Sequence, residues 1–182
     1  LSEKENVLAT RGNYNNHIGV PLTIFNLRSH HKIAILELGS NHPGEIEILC
    51  KMAMPDIGII TSIGESHLEF FKTVENVFVE KRSLFEYVDE NSCFSRSVFY
   101  NSLDIYLGSL ERKTSHVTIG NDDSTFKLGE LSGHVMNLTD GEKVYKLDNC
   151  NLVGAFNFHN MSLSFVVAKT LFPNRADTFI ER

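Results

Sequence analysis

Short apolar and β-branched runs alternate along this chain with longer stretches in which apolar positions recur every three or four residues. Asn6 to Ala9, Lys32 to Leu38, Asp56 to Ile63, Ser97 to Tyr100 and His116 to Ile119 read as strands. The spacing predicts helices over Pro21 to Leu27, Glu45 to Met52, Val74 to Val88 and Ser102 to Leu110, with Pro21 at a helix start and Pro55 just past a helix end. Strands that alternate with helices of this length imply parallel β-α-β units. Ile33-Ala34-Ile35-Leu36 and Ile57-Gly58-Ile59-Ile60 are apolar almost throughout, as strands covered on both faces are. The expected class is α/β with a doubly wound, mostly parallel sheet.

From Ser124 to Leu152 the pattern changes to short alternating runs broken by Gly129, Gly133 and Asp140-Gly141, the last a hairpin signal. This predicts a small antiparallel subsheet. The chain then turns at Gly154 into a last helix, about Asn157 to Leu171, which stops before Pro173. No repeat, low-complexity tract or linker divides the sequence, so one domain is expected over residues 1–182, with the subsheet at about 124–152.

Composition narrows the partners. With 42% hydrophobic residues in 182, the chain can bury a substantial core. A net charge of −6 leaves no basic stripe for nucleic acid, so an anionic ligand has to be held locally by loops, helix ends or a metal. Cys50, Cys93 and Cys150 are odd in number and far apart, which fits a reducing cytosol better than a disulfide framework. No apolar run reaches the roughly 18 to 20 residues that span a bilayer, and no signal-peptide pattern opens the chain, so neither membrane insertion nor export is expected. Leu1 in place of Met suggests a piece of a longer protein.

Three polar loops, each leaving an apolar strand, carry the chemistry: Gly12 to Pro21, Glu37 to Ile46 and Ser66 to Glu69. Open α/β sheets bind ligands in the crevice outside the carboxyl ends of their strands, where such loops lie. Glu37 at a strand end is either a structural carboxylate or a ligand of a hard cation such as Mg²⁺, which takes one or two carboxylates plus phosphate oxygens and water. His67 is either a surface hydrogen-bonding group or part of the same site, although imidazole is not a usual Mg²⁺ ligand. Lys81 shares a helix face with Val77, Phe78, Leu84 and Phe85, so its amine either snorkels outward or is needed inside. The glycines and asparagines of Gly12 to Pro21 suit close backbone approach to a ligand. At the last helix, Asn157 is a candidate cap, and the amide of Asn160 could meet a purine edge. No G-x-x-x-x-G-K-[ST] phosphate loop occurs anywhere in the 182 residues.

The runs Thr10-Arg11-Gly12-Asn13-Tyr14-Asn15-Asn16-His17-Ile18-Gly19-Val20-Pro21-Leu22-Thr23, Glu37-Leu38-Gly39-Ser40-Asn41-His42 through Glu45-Ile46, and Ile63-Gly64-Glu65-Ser66-His67-Leu68-Glu69 resemble the central ATP-binding domain of the Mur ligases. The doubled asparagine ahead of Ile18-Gly19-Val20-Pro21 and the Glu-Leu-Gly-x-Asn-His run are most like the MurF branch, the UDP-N-acetylmuramoyl-tripeptide:D-alanyl-D-alanine ligases. The resemblance runs from about Val7 to Leu171 and is weakest between Cys93 and Asn151. It implies ADP-forming amide ligation in bacterial peptidoglycan synthesis: ATP phosphorylates the tripeptide carboxylate, and D-Ala-D-Ala attacks the acyl phosphate. It implies ATP and Mg²⁺ as cofactors and a cytoplasmic, monomeric enzyme. Glu37 and His67 match the family's metal-holding positions, and Lys81 matches a lysine that several members carbamylate, which would make it a third, carboxylate-like ligand. Asn157 and Asn160 match an Asn-x-x-Asn that faces adenine. Asn13, Asn15, Asn16, Asn41 and Glu69 match loops that line the muramoyl-peptide cleft.

The family's phosphate loop would lie just upstream of Leu1, and its UDP-binding and carboxy-terminal domains are not in this sequence, so the chain alone is expected to be inactive. Phe156 stands where the family usually has histidine and could stack on adenine; Ser62 stands where asparagine is common. The alternatives are another ligase of similar build, of the folylpolyglutamate or cyanophycin type, or a degenerate module that keeps the fold without catalysis.

Overall fold

A computed structural model describes residues 6–149 and 151–175. Cys150 and the tail from Ala176, which the sequence reading also considered, lie outside them. The chain divides into two compact units. One combines the described residues up to Asp56 with Gly64–Ser92, and the other combines Ile57–Ile63 with the described residues from Cys93 on.

In the first unit, strands β1 (Val7–Ala9) and β2 (Ile33–Ile35) pair in parallel, with Val7 opposite Ile33. Between them, helix α1 (Gly19–Ile24) carries Pro21 near its start, where a missing N–H costs nothing. Helix α2 (Glu45–Ala53) follows β2. The single turn α3 (Leu68–Phe71) then leads into the long α4 (Val74–Asn91), capped by the Thr73 hydroxyl, which accepts the Asn76 N–H at 3.3 Å. Val20, Ile46, Leu49 and Cys50 form the buried centre, with Leu36, Leu38, Leu84 and Tyr87 packed around it. Burial pushes the Cys50 thiol up to about 12, so it is an inert packing group.

The second unit holds a six-stranded sheet in sequence order: β3 (Gly58–Ile60), β4 (Val98–Asn101), β5 (His116–Gly120), β6 (Phe126–Ser132), β7 (Val135–Thr139) and β8 (Val144–Asp148). The pairings from β3 to β6 are parallel and those from β6 to β8 antiparallel, as the change of pattern after Ser124 predicts. Helix α5 (Ala155–Leu171) packs Phe158, Leu163, Phe165, Val166 and Val167 into a core with Phe99, Val117, Ile119 and Leu138.

Two expectations need correction. Strands covered on both faces are β4 and β5, whereas Ile35 and Ile59, in β2 and β3, are 48% and 41% exposed. Each of those two strands lies at the edge of its own sheet. Residues 102–110 form only a 3₁₀ turn at Leu107–Ser109 in place of a helix. Asp104 accounts for this: its Oδ1 accepts the N–H groups of Tyr106 (3.0 Å) and Leu107 (3.1 Å), and its Oδ2 accepts that of Ile63 (2.7 Å). A short carboxylate that binds nearby N–H groups offers the backbone an alternative to the helix ladder.

The Asp140-Gly141 turn closes β7 onto β8 with Gly141 at φ 92°. Asp140 Oδ1 accepts the N–H groups of Glu142 and Lys143, while Oδ2 accepts the Tyr145 hydroxyl at 2.9 Å and lies 3.4 Å from Lys169 Nζ. Desolvation works against ionisation, but the Lys143 N–H, the Tyr145 hydroxyl, the Glu142 N–H and the Lys169 ammonium together hold the carboxyl down at about 2. A carboxyl lower in the folded than in the unfolded chain stabilises above the unfolded value, near 3.8, and that contribution disappears as pH falls through the folded value. Asp140→Asn is therefore expected to destabilise by about 2 kcal/mol at pH 7. In urea unfolding the gap from wild type should narrow below about pH 4 and close near 2; a gap independent of pH would contradict this.

Candidate functional site

The candidate residues of the three polar loops all fall in the first unit, so their arrangement can be built up strand by strand. Beyond β1, Thr10 Oγ1 accepts the Glu37 N–H at 2.9 Å, and beyond β2 Glu37 Oε1 accepts a hydrogen bond from Asn15 Nδ2 at 2.8 Å. The Gly39 N–H donates to Asn15 O at 2.8 Å, and a Cβ on Gly39 would sit 2.7 Å from Asn15 Nδ2. Only glycine allows this closeness, so the loops after β1 and β2 are laced together through Asn15. Asn16 serves the next helix: its Oδ1 accepts the N–H groups of Ile18 (3.1 Å) and Gly19 (2.9 Å), and its carbonyl that of Val20.

The segment Ser40 to Gly44 enters α2 with its N–H groups held by two carboxylates. Glu45 Oε2 accepts those of Asn41 (2.6 Å) and His42 (3.1 Å). Glu80, from α4 and only 5% exposed, accepts those of Gly44 through Oε2 (2.7 Å) and Ile46 through Oε1 (2.8 Å). The first turn of a helix leaves N–H groups without partners and carries partial positive charge, which a carboxylate satisfies on both counts. The Glu45 carboxyl, although desolvation pushes it up, is held below its ordinary value by the N–H groups of Asn41 and His42.

His67 starts α3 in the left-handed conformation at φ 50°, with its carbonyl accepting the N–H groups of Phe70 and Phe71. Such a backbone is uncommon outside glycine, and it sets this imidazole at a sharp turn. A cavity of about 380 Å³ is lined by Asn15, Asn16, Asn41, His42, Glu45 and His67 among others. The structure thus brings four predicted residues, Asn15, Asn16, Asn41 and His67, to one cavity. Glu37 is joined to it through Asn15. Asn13 and Glu69 do not line it, and neither does Lys81, which is half-buried on α4 one residue beyond Glu80.

Among the described residues, no group of three or more His, Cys, Asp or Glu side chains is gathered to hold a metal ion. A hard cation here would have to take most of its ligands from bound phosphates and water.

In the second unit, Phe156, Asn157 and Asn160 lie at the start of α5, with Phe156 65% exposed. Asn157 was expected to accept a capping bond. Its Nδ2 instead donates to Val153 O at 2.8 Å, because the helix begins two residues earlier, after Gly154 at φ 88°. Its carbonyl oxygen stays available to a ligand. His159 is half-buried, which lowers its pKa.

Residues 1–168 match the model of the Mur ligase middle domain. The chain belongs to the Mur ligase middle-domain family. Among its relatives, the UDP-N-acetylmuramoyl-tripeptide–D-alanyl-D-alanine ligase of Haemophilus influenzae is 34% identical over 131 residues, covering 72% of this chain and 29% of that protein. The Bacillus subtilis ligase of the same name is 31% identical over 157 residues, covering 75% and 34%. A crystal structure of MurF from Acinetobacter baumannii superposes with a TM-score of 0.79 at 25% identity, covering 94% of this chain and 38% of that one. MurF from Thermotoga maritima in complex with ADP shares the fold, with a TM-score of 0.77 at 24% identity, covering 94% and 40%. This Mur ligase middle domain spans about a third of the length of the curated relatives it matches. No helix among its described residues is long and apolar enough to cross a membrane.

Sequence reasoning singled out Lys81 and passed over its neighbour Glu80, although Val77, Glu80, Leu84 and Val88 form one apolar stripe with a carboxylate in it. Replacing Glu80 strands two N–H groups at the start of α2. Glu80→Ala should cost about 2 to 4 kcal/mol in urea unfolding at pH 7, and Glu80→Gln, which keeps an acceptor but no charge, about half as much. A loss below about 0.5 kcal/mol in both would show that this bridge does not hold α2 to α4.

Proposed function

We propose that this chain is the middle domain of a longer ATP-dependent, ADP-forming ligase that joins D-alanyl-D-alanine to UDP-N-acetylmuramoyl-tripeptide. The observation that carries the reading is the cavity bearing Asn15, Asn41 and His67, with Glu37 hydrogen-bonded to Asn15 at its edge, in a chain of this family. The names of the curated relatives support the substrates.

A carboxylate is a poor electrophile because it is anionic and resonance-stabilised. Transfer of the γ-phosphoryl group of ATP to it gives an acyl phosphate with a good leaving group and releases ADP. The amine of D-Ala-D-Ala then attacks the carbonyl carbon, and the tetrahedral intermediate expels phosphate as the amide forms and the attacking nitrogen loses its proton. Two anions have to meet in the first step, and the protein's task is to orient them and reduce their repulsion. Asn15 and Asn41 present amide groups to the bound acid, and the rigid lacing of the two loops keeps them in place with little reorganisation.

Glu37 and His67 are the residues that would hold Mg²⁺. When bound, the ion supplies the positive charge that lets the γ-phosphate and the carboxylate approach. As a carbamate, formed when its neutral amine adds to CO₂ and a proton is released, Lys81 would complete the set. At the start of α5, exposed Phe156 offers a stacking face, and Asn157 and Asn160 offer amides, to the adenine of ATP. The reaction belongs in the cytoplasm, where ATP is available.

The complete ligase tests this. Glu37→Ala and His67→Ala should each lower kcat by ~10²-fold or more while the enzyme remains folded. Lys81→Arg, which keeps a cation but cannot form a carbamate, should be as inactive as Lys81→Ala. Full activity in Lys81→Arg would remove the carbamate from the mechanism, and near-normal kcat in both Glu37→Ala and His67→Ala would overturn the site.

A further inference from the structure

The proposed function gives no task to His42, a side chain of the cavity. His42 lines the cavity beside Asn41, and its ring is fixed from two sides although the side chain is 56% exposed. Its Nδ1 lies 3.5 Å from Glu45 Oε1, and its ring centroid is 4.2 Å from that of Phe70, at 52°. Glu45 is itself anchored, because its second oxygen takes the N–H groups of Asn41 and His42. Phe70 belongs to α3, the turn that begins at His67, so one short element carries both the ring that packs on His42 and a second imidazole of the cavity.

An exposed imidazole gains little from being held still, and ordering it costs rotamer entropy. The fixed geometry has a definite chemical result. With a carboxylate at Nδ1, that nitrogen carries a hydrogen, and Nε2 is left as the nitrogen open to a ligand. The cavity's size is within the range of small-molecule sites. The acidic group in its wall, Glu45, is already engaged by two N–H groups and His42, so the other polar side chains offer amides, imidazoles and the Ser40 hydroxyl, a set suited to an oxyanion.

We propose that His42 contacts a carboxylate of the acid substrate through Nε2, with Glu45 and Phe70 as its positioning residues. This rests on the ligase reading above and adds a substrate-binding residue that lies outside the set holding the metal.

Two substitutions in the complete ligase separate contact from scaffold. Asparagine places its amide where Nδ1 was, and can still meet Glu45 without reaching the ligand. Glutamine reaches the place of Nε2. His42→Asn should raise KM for the nucleotide-linked tripeptide by ~10-fold or more, the loss of one hydrogen bond to a charged group, with KM for ATP and for D-Ala-D-Ala within about twofold of wild type. His42→Gln should restore most of that loss, and both variants should unfold within a few degrees of wild type. An unchanged KM for the tripeptide in His42→Asn, a rise in KM for ATP instead, or a His42→Gln as weak as His42→Asn would each overturn the proposal while leaving the ligase reading intact. A wild-type enzyme that forms no product would overturn both.

Discussion

The carboxylate of Glu80, buried inside the first unit, joins two helices that the sequence keeps apart. It accepts the N–H groups of Gly44 and Ile46 and so ties the start of α2 to the middle of α4. A buried carboxylate is costly without partners, and the first N–H groups of a helix are costly without acceptors, so each resolves the problem of the other. The bond also fixes where the loop after β2 ends. Asn41 and His42 lie just before Gly44, and Lys81 follows Glu80, so the loop after β2 and the candidate carbamate lysine are set by one side chain.

The rest of the cavity follows from similar economy. Asn15 holds Glu37 and also covers Gly39, Asn16 closes the start of α1, and Glu45 closes the turn at Asn41 and His42. These side-chain to backbone bonds cross-link the loops after β1 and β2 and the start of α2, which restricts how the walls can move. The proposed joining of two anions would gain from this, because donors already in place need not be reoriented as charge develops. The second unit is built differently: its polar network is the Asp140, Tyr145 and Lys169 cluster beneath the hairpin, and its ligand-facing candidates at the start of α5 are exposed.

Much of this was legible in the sequence. Alternation of strand and helix patterns marked the parallel pairs, Asp140-Gly141 marked the hairpin, and the asparagine and histidine loops marked the cavity. What escaped was side-chain competition for backbone hydrogen bonds. The apolar spacing of residues 102–110 suits a helix, yet Asp104 takes the N–H groups that would open one. Asn157 looked like a cap, but the helix starts earlier and its amide donates backward. Asn16 lines the cavity as a candidate ligand contact, but its Oδ1 also closes the start of α1. Glu80 is the instructive miss: a carboxylate on the stripe of Val77, Leu84 and Val88 signals a buried acceptor for some helix start, but nothing local says which one, because its partners are 34 and 36 residues away.

The proposed chemistry needs Glu37 and His67 to share one divalent cation at the edge of this cavity. Its most direct test is anomalous diffraction from crystals of the complete ligase grown with Mn²⁺ in place of Mg²⁺ and a non-hydrolysable ATP analogue. A manganese peak is expected within bonding distance of both the Glu37 carboxylate and the His67 imidazole. A peak bound by the phosphates but remote from both residues would contradict it.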